Sequence, residues 1–292
     1  MTDDPRAQHR LGMLLVALSA ISWSSAGFFT RLIPLDLWTM LFWRGAFGCL
    51  FIGGYIVWSA RGRIGASVRG YGWPGIFLSV CSMLATATLI PAFKFTSIAN
   101  VVVIFATAPF FSAAFAWLWM REKASGPTLI AATVALLGVA YMMGGAFAGI
   151  QLGDLLAILA TIVIALLMVG MRRYRSVPTL PIAFFANLFI VLACLPFAAP
   201  TEVTGLDILY SAMFAGTTMV AGYILLLAGS RMIPAVETAL IGTLETPLAP
   251  LWVWIAFKEV PADATFVGGA VVLAALIGHV VVEHRRRSGA TA

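Results

Sequence analysis

Charge is scarce in this chain. Only 10% of its 292 residues are Asp, Glu, Lys or Arg while 61% are hydrophobic, a ratio that excludes a water-soluble domain of this length. Cysteine is almost missing too: Cys49, Cys81 and Cys194 show no CxxC spacing and fall inside apolar stretches, so neither a disulfide framework nor a thiol redox centre is expected. There is no metal-ligand cluster, no glycine-rich phosphate loop followed by lysine, and no paired nucleophile and base. Metal, cofactor and catalytic residues are therefore all expected to be none, and without a phosphate loop the chain is not expected to hydrolyse ATP itself. The net charge of +6 does not point to nucleic acid, because the basic residues never gather into an aromatic-interleaved patch.

What the chain has in abundance is apolar runs of bilayer length. A hydrocarbon core about 30 Å thick needs about 20 apolar residues per helix. Charged and turn residues divide the chain into ten such spans, near 11–30, 37–58, 72–91, 98–120, 127–143, 151–171, 179–196, 207–228, 236–257 and 263–282. Within 72–120 only Pro91 and Lys94 interrupt the run, which is too long for one helix and is divided there. A cleaved signal peptide, for which Arg6, Arg10 and Ala17-Leu18-Ser19 would speak, is set aside because the apolar run continues to Phe29.

Basic residues give the expected orientation. With the N-terminus inside, fourteen fall on the inner side (Arg6, Arg10, Arg61, Arg63, Arg69, Arg121, Lys123, Arg172, Arg173, Arg175, Arg231, Arg285, Arg286 and Arg287), and only Arg31, Lys94 and Lys258 fall outside. That asymmetry predicts cytoplasmic N- and C-termini in a bacterial-type inner membrane. Trp38, Trp58, Trp73, Trp117, Trp119, Trp252 and Trp254 lie near span ends and read as interface anchors, whereas Trp23 lies in mid-span.

The chain also repeats itself. Leu11-Gly12-Met13-Leu14-Leu15-Val16-Ala17-Leu18 matches Leu152-Gly153-Asp154-Leu155-Leu156-Ala157-Ile158-Leu159 at five of eight positions. Pro109 through Trp117-Leu118-Trp119-Met120-Arg121-Glu122 corresponds to Pro247 through Ile255-Ala256-Phe257-Lys258-Glu259 with one gap. The halves are thus 1–148 and 149–292, five spans each, and an odd number of spans makes the second copy enter from the opposite side.

Ser22-Trp23-Ser24, Phe42-Trp43-Arg44 and the two proline-to-glutamate endings, Pro109 to Glu122 and Pro247 to Glu259, make the chain resemble the EamA-type drug/metabolite transporter superfamily over nearly its whole length. It departs in having Ser24 where the family often has glycine, and in lacking a tryptophan in the sixth span. The resemblance implies an all-α integral membrane protein, ten transmembrane helices as two inverted five-helix repeats around a central cavity between helices one, three, four, six, eight and nine. It also implies a secondary exporter of small organic solutes working by alternating access. Amino acids, aromatic ones included as in YddG-type exporters, are the first expectation, and multidrug or cationic-toxin efflux is the alternative. An integral membrane enzyme or a non-transporting subunit is the reading of another class; the enzyme would need polar groups clustered at one interface, which the sequence does not show.

Interrupted helices at matching places mark a transporter's site, so Pro109 and Pro247 are candidate gating positions as well as candidate packing kinks, with Thr107 and Thr246 beside them. Glu245 in span nine costs at least about 2.5 kcal/mol if ionised at the bilayer centre, so it is either a protonated structural carboxyl or a pathway residue meeting an amine or a proton. Glu237 reads as a helix cap or an entrance residue, and Arg44 as an entrance residue or a side chain snorkelling to the outer interface. Trp23 with Ser22 and Ser24 suits an amphipathic solute and equally suits helix packing. Ser79, Ser82 and Thr86, at helical spacing in span three, and Tyr223 in span eight complete the expected pathway; His279 reads as interfacial. The expected partners are a small-molecule substrate, the lipid bilayer and protons as a candidate coupling ion, with no nucleic acid.

Overall fold

The structure, a computed structural model, describes residues 5–60, 69–121, 126–145, 151–230, 232–233, 241–242 and 244–289, and among these every regular element is helical. In chain order they are α1 (Pro5–Ser24), α2 (Ala26–Leu32), α3 (Leu37–Ala60), α4 (Gly72–Phe95), α5 (Ile98–Phe105), α6 (Ala108–Met120), α7 (Gly126–Gly145), α8 (Leu152–Arg173), α9 (Thr179–Cys194), α10 (Gly205–Ala215), a π-helical turn (Gly216–Ala221), α11 (Gly222–Gly229), α12 (Glu245–Phe257) and α13 (Asp263–Gly289). Six runs among the described residues are long and apolar enough to cross a bilayer: Ala7–Leu32, Leu37–Ser59, Gly72–Phe95, Ile98–Met120, Leu152–Arg173 and Gly205–Leu226. Shorter apolar helices lie at Leu129–Tyr141, Thr179–Cys194, Leu248–Phe257 and Asp263–Ala275.

Several runs that read as single spans are built in pieces. The first breaks at Ser25, the fourth at Ala106 and Thr107, and the eighth passes through the π-helical turn. Pro109 does not kink a continuous helix. It stands in the first turn of α6, where a missing N–H costs nothing because that group has no intrahelical partner. The Thr107 hydroxyl donates to the Ile104 carbonyl at 2.6 Å and closes the end of α5. Pro247 likewise falls in the first turn of α12. By contrast α4 runs unbroken through Pro91 to Phe95, so the third run ends later than proline and lysine alone would place it.

The ends of α6 and α12 match closely. Each helix has 13 residues and stops at a basic residue in the left-handed region, Arg121 (φ 55°) and Lys258 (φ 57°), whose N–H donates back to Ala116 and Trp254 respectively. A left-handed non-glycine residue costs on the order of 1 kcal/mol, so the same costly terminus at corresponding places in both halves extends the sequence repeat into backbone geometry.

The chain forms two compact units, Met1–Ser79 with Pro178–Glu259, and Val80–Val177 with Val260–Ala292, each drawing on both sequence halves. In the first unit α1 crosses α11 antiparallel, with Gly12 against Gly229 and the Ser19 hydroxyl on the Gly222 carbonyl at 2.7 Å. There α3 lies along α9 in the register Gly45–Val191, Gly48–Asn187 and Gly53–Phe184. Small residues at these crossings let helices approach where lipid supplies no hydrophobic drive between them. In the second unit α7 and α13 pack through Gly138, which faces the Gly268 carbonyl and Val272.

Candidate substrate-binding site

The first unit gathers aromatic and hydroxyl groups around Trp23. A π-helical turn shifts the backbone bonding register, and that of Gly216–Ala221 presents the Thr218 carbonyl to the Trp23 indole N–H, 2.8 Å away. Thr218 and Thr217 return their own hydroxyls to Phe214 and Met213 at 2.7 and 2.8 Å. Directly beside them, a Cβ at Gly222 would collide with the indole, so glycine is what lets the ring lie against the backbone of α11. The Tyr223 ring meets Trp23 edge-on with centroids 6.0 Å apart. On the other side the Trp252 indole N–H donates to the Ser24 hydroxyl at 2.8 Å, and Ser24 donates to Ile21. Trp252 is thus engaged in this cluster, not free to anchor at an interface; Trp58 and Trp73, each about three-quarters exposed, fit that role. Ser22 spends its hydroxyl on Leu18 within its own helix.

Arg44 is the second feature of this unit. It is only 4% exposed, so it does not snorkel. Its guanidinium carbon stands 4.8 Å over the ring of Phe214, which is itself fully buried and stacked on Phe29. Among the described residues no carboxylate pairs with it and its Nε has no hydrogen-bond partner. Two further buried donors are likewise unpartnered, the Trp43 Nε1 and the hydroxyl of Ser211, one turn before Phe214 on α10. A desolvated cation carries a penalty of several kcal/mol, which the ring face offsets only in part. From Trp43 an aromatic ladder runs along α3 through Phe47 to Phe51, at 5.7 and 5.9 Å. It ends at an open apolar groove of about 540 Å³ lined by Phe51, Tyr55, Gly216, Val220, Ala221, Ile224 and Leu225.

The other expected residues are distributed as follows. Glu245 opens α12 and is partly exposed, in the first turn where a carboxylate complements the helix dipole. The side chains of Thr246 and Pro247, and Glu237 altogether, lie outside the described residues. Ser79 is fully buried and donates to the Ile182 carbonyl at 3.1 Å while bonding the Tyr71 hydroxyl at 2.7 Å, so it joins α4 to α9. Ser82, Thr86, Thr107 and Pro109 belong to the second unit.

That second unit holds a polar cluster the sequence reading passed over. Asp154, 2% exposed, accepts from the Thr96 hydroxyl (2.7 Å), the Asn100 amide (3.3 Å) and the Gln151 backbone N–H (3.1 Å), and the Thr265 hydroxyl closes the chain on Asn100 at 2.7 Å. The signal was present: Asp154 sits at the third position of α8, where a carboxylate turns back to cap. Every donor here is matched, which marks a structural knot tying α5, α8 and α13 together.

The sequence profile of the EamA-like transporter family matches the chain twice, over residues 10–144 and 151–281. Comparison with curated proteins found no match. Among solved structures, one described only as a crystal structure of a protein aligns with a TM-score of 0.64 at 17% identity, covering 94% of this chain and 98% of its own. At that identity the likeness concerns the fold alone.

Proposed function

Because the chain belongs to the EamA-like transporter family, and is therefore a multi-pass membrane transporter of small solutes, we propose that it exports amino acids, aromatic ones included, by alternating access of two inverted halves. The observation that carries the substrate reading is the cluster of Trp23, Tyr223, Trp252 and Ser24 beside the π-helical turn. It combines ring faces for an apolar side chain with hydroxyls and a π-helical turn, and such turns occur often at functional sites. The double family match and the paired ends of α6 and α12 support reading 1–148 and 149–292 as the two halves. Five spans in each half give the inverted relation, and the basic-residue asymmetry supports cytoplasmic termini in a bacterial-type inner membrane.

Glu245 favours a second reading, efflux of cationic solutes, since a carboxylate in a membrane helix attracts an amine or a proton. Both readings are tested in vesicles reconstituted with the pure protein and loaded in turn with labelled phenylalanine, leucine and a quaternary ammonium dye, with and without a proton gradient. Amino-acid efflux that Trp23→Ala abolishes is the expected result. Efflux of the dye alone would replace this reading with the second, and no efflux of either would remove both. If Glu245 carries the coupling proton, Glu245→Gln flattens the pH dependence; an unchanged profile removes Glu245 from the pathway.

A further inference from the structure

The transporter reading leaves Arg44 unexplained, and its surroundings specify a ligand chemistry. Among the described residues of this unit, the buried donors without a partner include the Arg44 Nε, the Nε1 of Trp43, next to it in sequence on α3, and the hydroxyl of Ser211, one helical turn before the Phe214 that Arg44 covers. Protein interiors match nearly all such groups, so several unmatched donors beside an unpaired cation call for an acceptor-rich anion. Phe214, stacked on Phe29, covers the guanidinium at 4.8 Å, a contact that uses the ring face and none of the N–H donors a carboxylate would take. Among the described acids of the same unit, Asp207 caps α10 through Thr204, Asp36 caps α3 through Trp38 and Thr39, Glu259 pairs with Arg31, Glu202 is exposed before α10 and Glu245 opens α12, and none of them pairs with Arg44.

We infer that Arg44, with Ser211, is an anion-binding subsite that takes the carboxylate of the transported solute, the aromatic ladder Trp43–Phe47–Phe51 receiving its apolar part. This rests on the transporter reading and selects within it, since a cation without a carboxylate has no use for the subsite. A lipid headgroup phosphate offers the same oxygen chemistry and must be distinguished.

The test uses the full chain in nanodiscs of zwitterionic lipid and follows thermal unfolding by tryptophan fluorescence. The probes are 3-phenylpropionate, phenylalanine, phenylalaninamide and phenethylamine. The first two should raise the midpoint and the last two should not. Arg44→Lys should weaken the response roughly tenfold, because an ammonium cannot reproduce the planar two-point contact. Arg44→Met should abolish it while leaving the ligand-free midpoint equal or higher, since an unpaired buried charge has been removed. A carboxylate response that survives in Arg44→Met, or an equal response to the amine, overturns the subsite. Should Arg44→Met fail to fold, Ser211→Ala decides: a several-fold weaker response supports the subsite and an unchanged one overturns it. Repeating the titration with phosphatidylglycerol in the nanodisc separates the sources, and loss of the solute response there assigns the oxygens to lipid and overturns the solute reading. Vesicle efflux keeps the two levels apart. Efflux of phenylalanine unaffected by Arg44→Gln removes the subsite but not transport, whereas an Arg44-dependent carboxylate response without efflux removes transport but not the subsite.

Discussion

Apart from Asp207, which caps α10, each unit buries one charged side chain among the described residues, and the two are treated in opposite ways. In the second unit Asp154 is surrounded by three matched donors, Gln151 just before α8, Thr96 between α4 and α5, and Asn100 in α5, and the dipole of α8 points its positive end at it. In the first unit Arg44 has an aromatic face and no acid among the described residues. A fully satisfied buried group rigidifies the helices it joins, whereas an unsatisfied one stores free energy that a ligand can release. On the proposed reading, that difference is what separates scaffold from site.

The strongest test of that separation removes each charge. Asp154→Ala orphans the Thr96, Asn100 and Gln151 donors together, and at about 1–3 kcal/mol per buried unmatched group the loss should be about 3 kcal/mol or more, read as a lower unfolding midpoint in detergent. Arg44→Met should move the midpoint the other way or leave it alone. If both substitutions destabilise alike, Arg44 has structural partners and the contrast collapses.

Next in size is the tryptophan crossing. Gly222→Val would drive a side chain into the Trp23 indole, and overpacking of this kind costs about 1–3 kcal/mol. Transport should fall with it, because the ring must leave the Thr218 carbonyl. Unaltered stability and efflux would mean that α1 and α11 separate easily and that the cluster does not organise the site. Trp23→Phe is milder: it keeps an aromatic ring but deletes the indole donor, a loss of about 1 kcal/mol. A larger drop in phenylalanine efflux than in stability is the expected signature.

Much of this was legible in the residues, and the failures have physical causes. Hydropathy sees where a run of apolar residues begins and ends, so the runs at 37–58 and 151–171 emerge nearly where they were drawn, while the third, cut short at Pro91 by its proline and lysine, continues to Phe95. It is blind to breaks inside a run, because a window of bilayer length averages the few weakly polar residues at Ala106 and Thr107 or in the π-helical turn with their strongly apolar neighbours. Pro109 pointed to the break at Ala106 and Thr107 but misplaced the mechanism, since it stands in the first turn of a helix where a kink was expected. Arg44 illustrates a different limit: its distance from the span end allowed snorkelling, and only the helix rotation that turns it towards Phe214 excludes that. Trp252 was read from its nearness to a span end, but whether a ring faces lipid or another helix depends on the helix face it occupies. Asp154 was visible inside the repeated Leu-Gly motif, yet its role depends on Thr96 and Asn100, more than fifty residues earlier in the chain.

The smallest effect sharpens the contrast between buried and open charge. Arg31 at the end of α2 meets Glu259, just beyond α12, through one guanidinium nitrogen 3.3 and 3.2 Å from the two carboxylate oxygens, with both side chains 28% exposed. Water and salt reach such a pair, so Glu259→Gln should cost only about 0.2–1 kcal/mol, and less at high ionic strength. Because Arg31 has other contacts, the clean measurement is a double-mutant cycle with Arg31→Gln, in which the coupling and not either single loss reports the pair. A coupling of this size in the midpoint with unchanged efflux would make the pair an ordinary surface clip between α2 and α12. A faster or slower efflux at equal stability would instead show that the pair is made in one transport state and broken in the other, and a partly open ion pair, being cheap to break, is the kind of contact that can serve in that way.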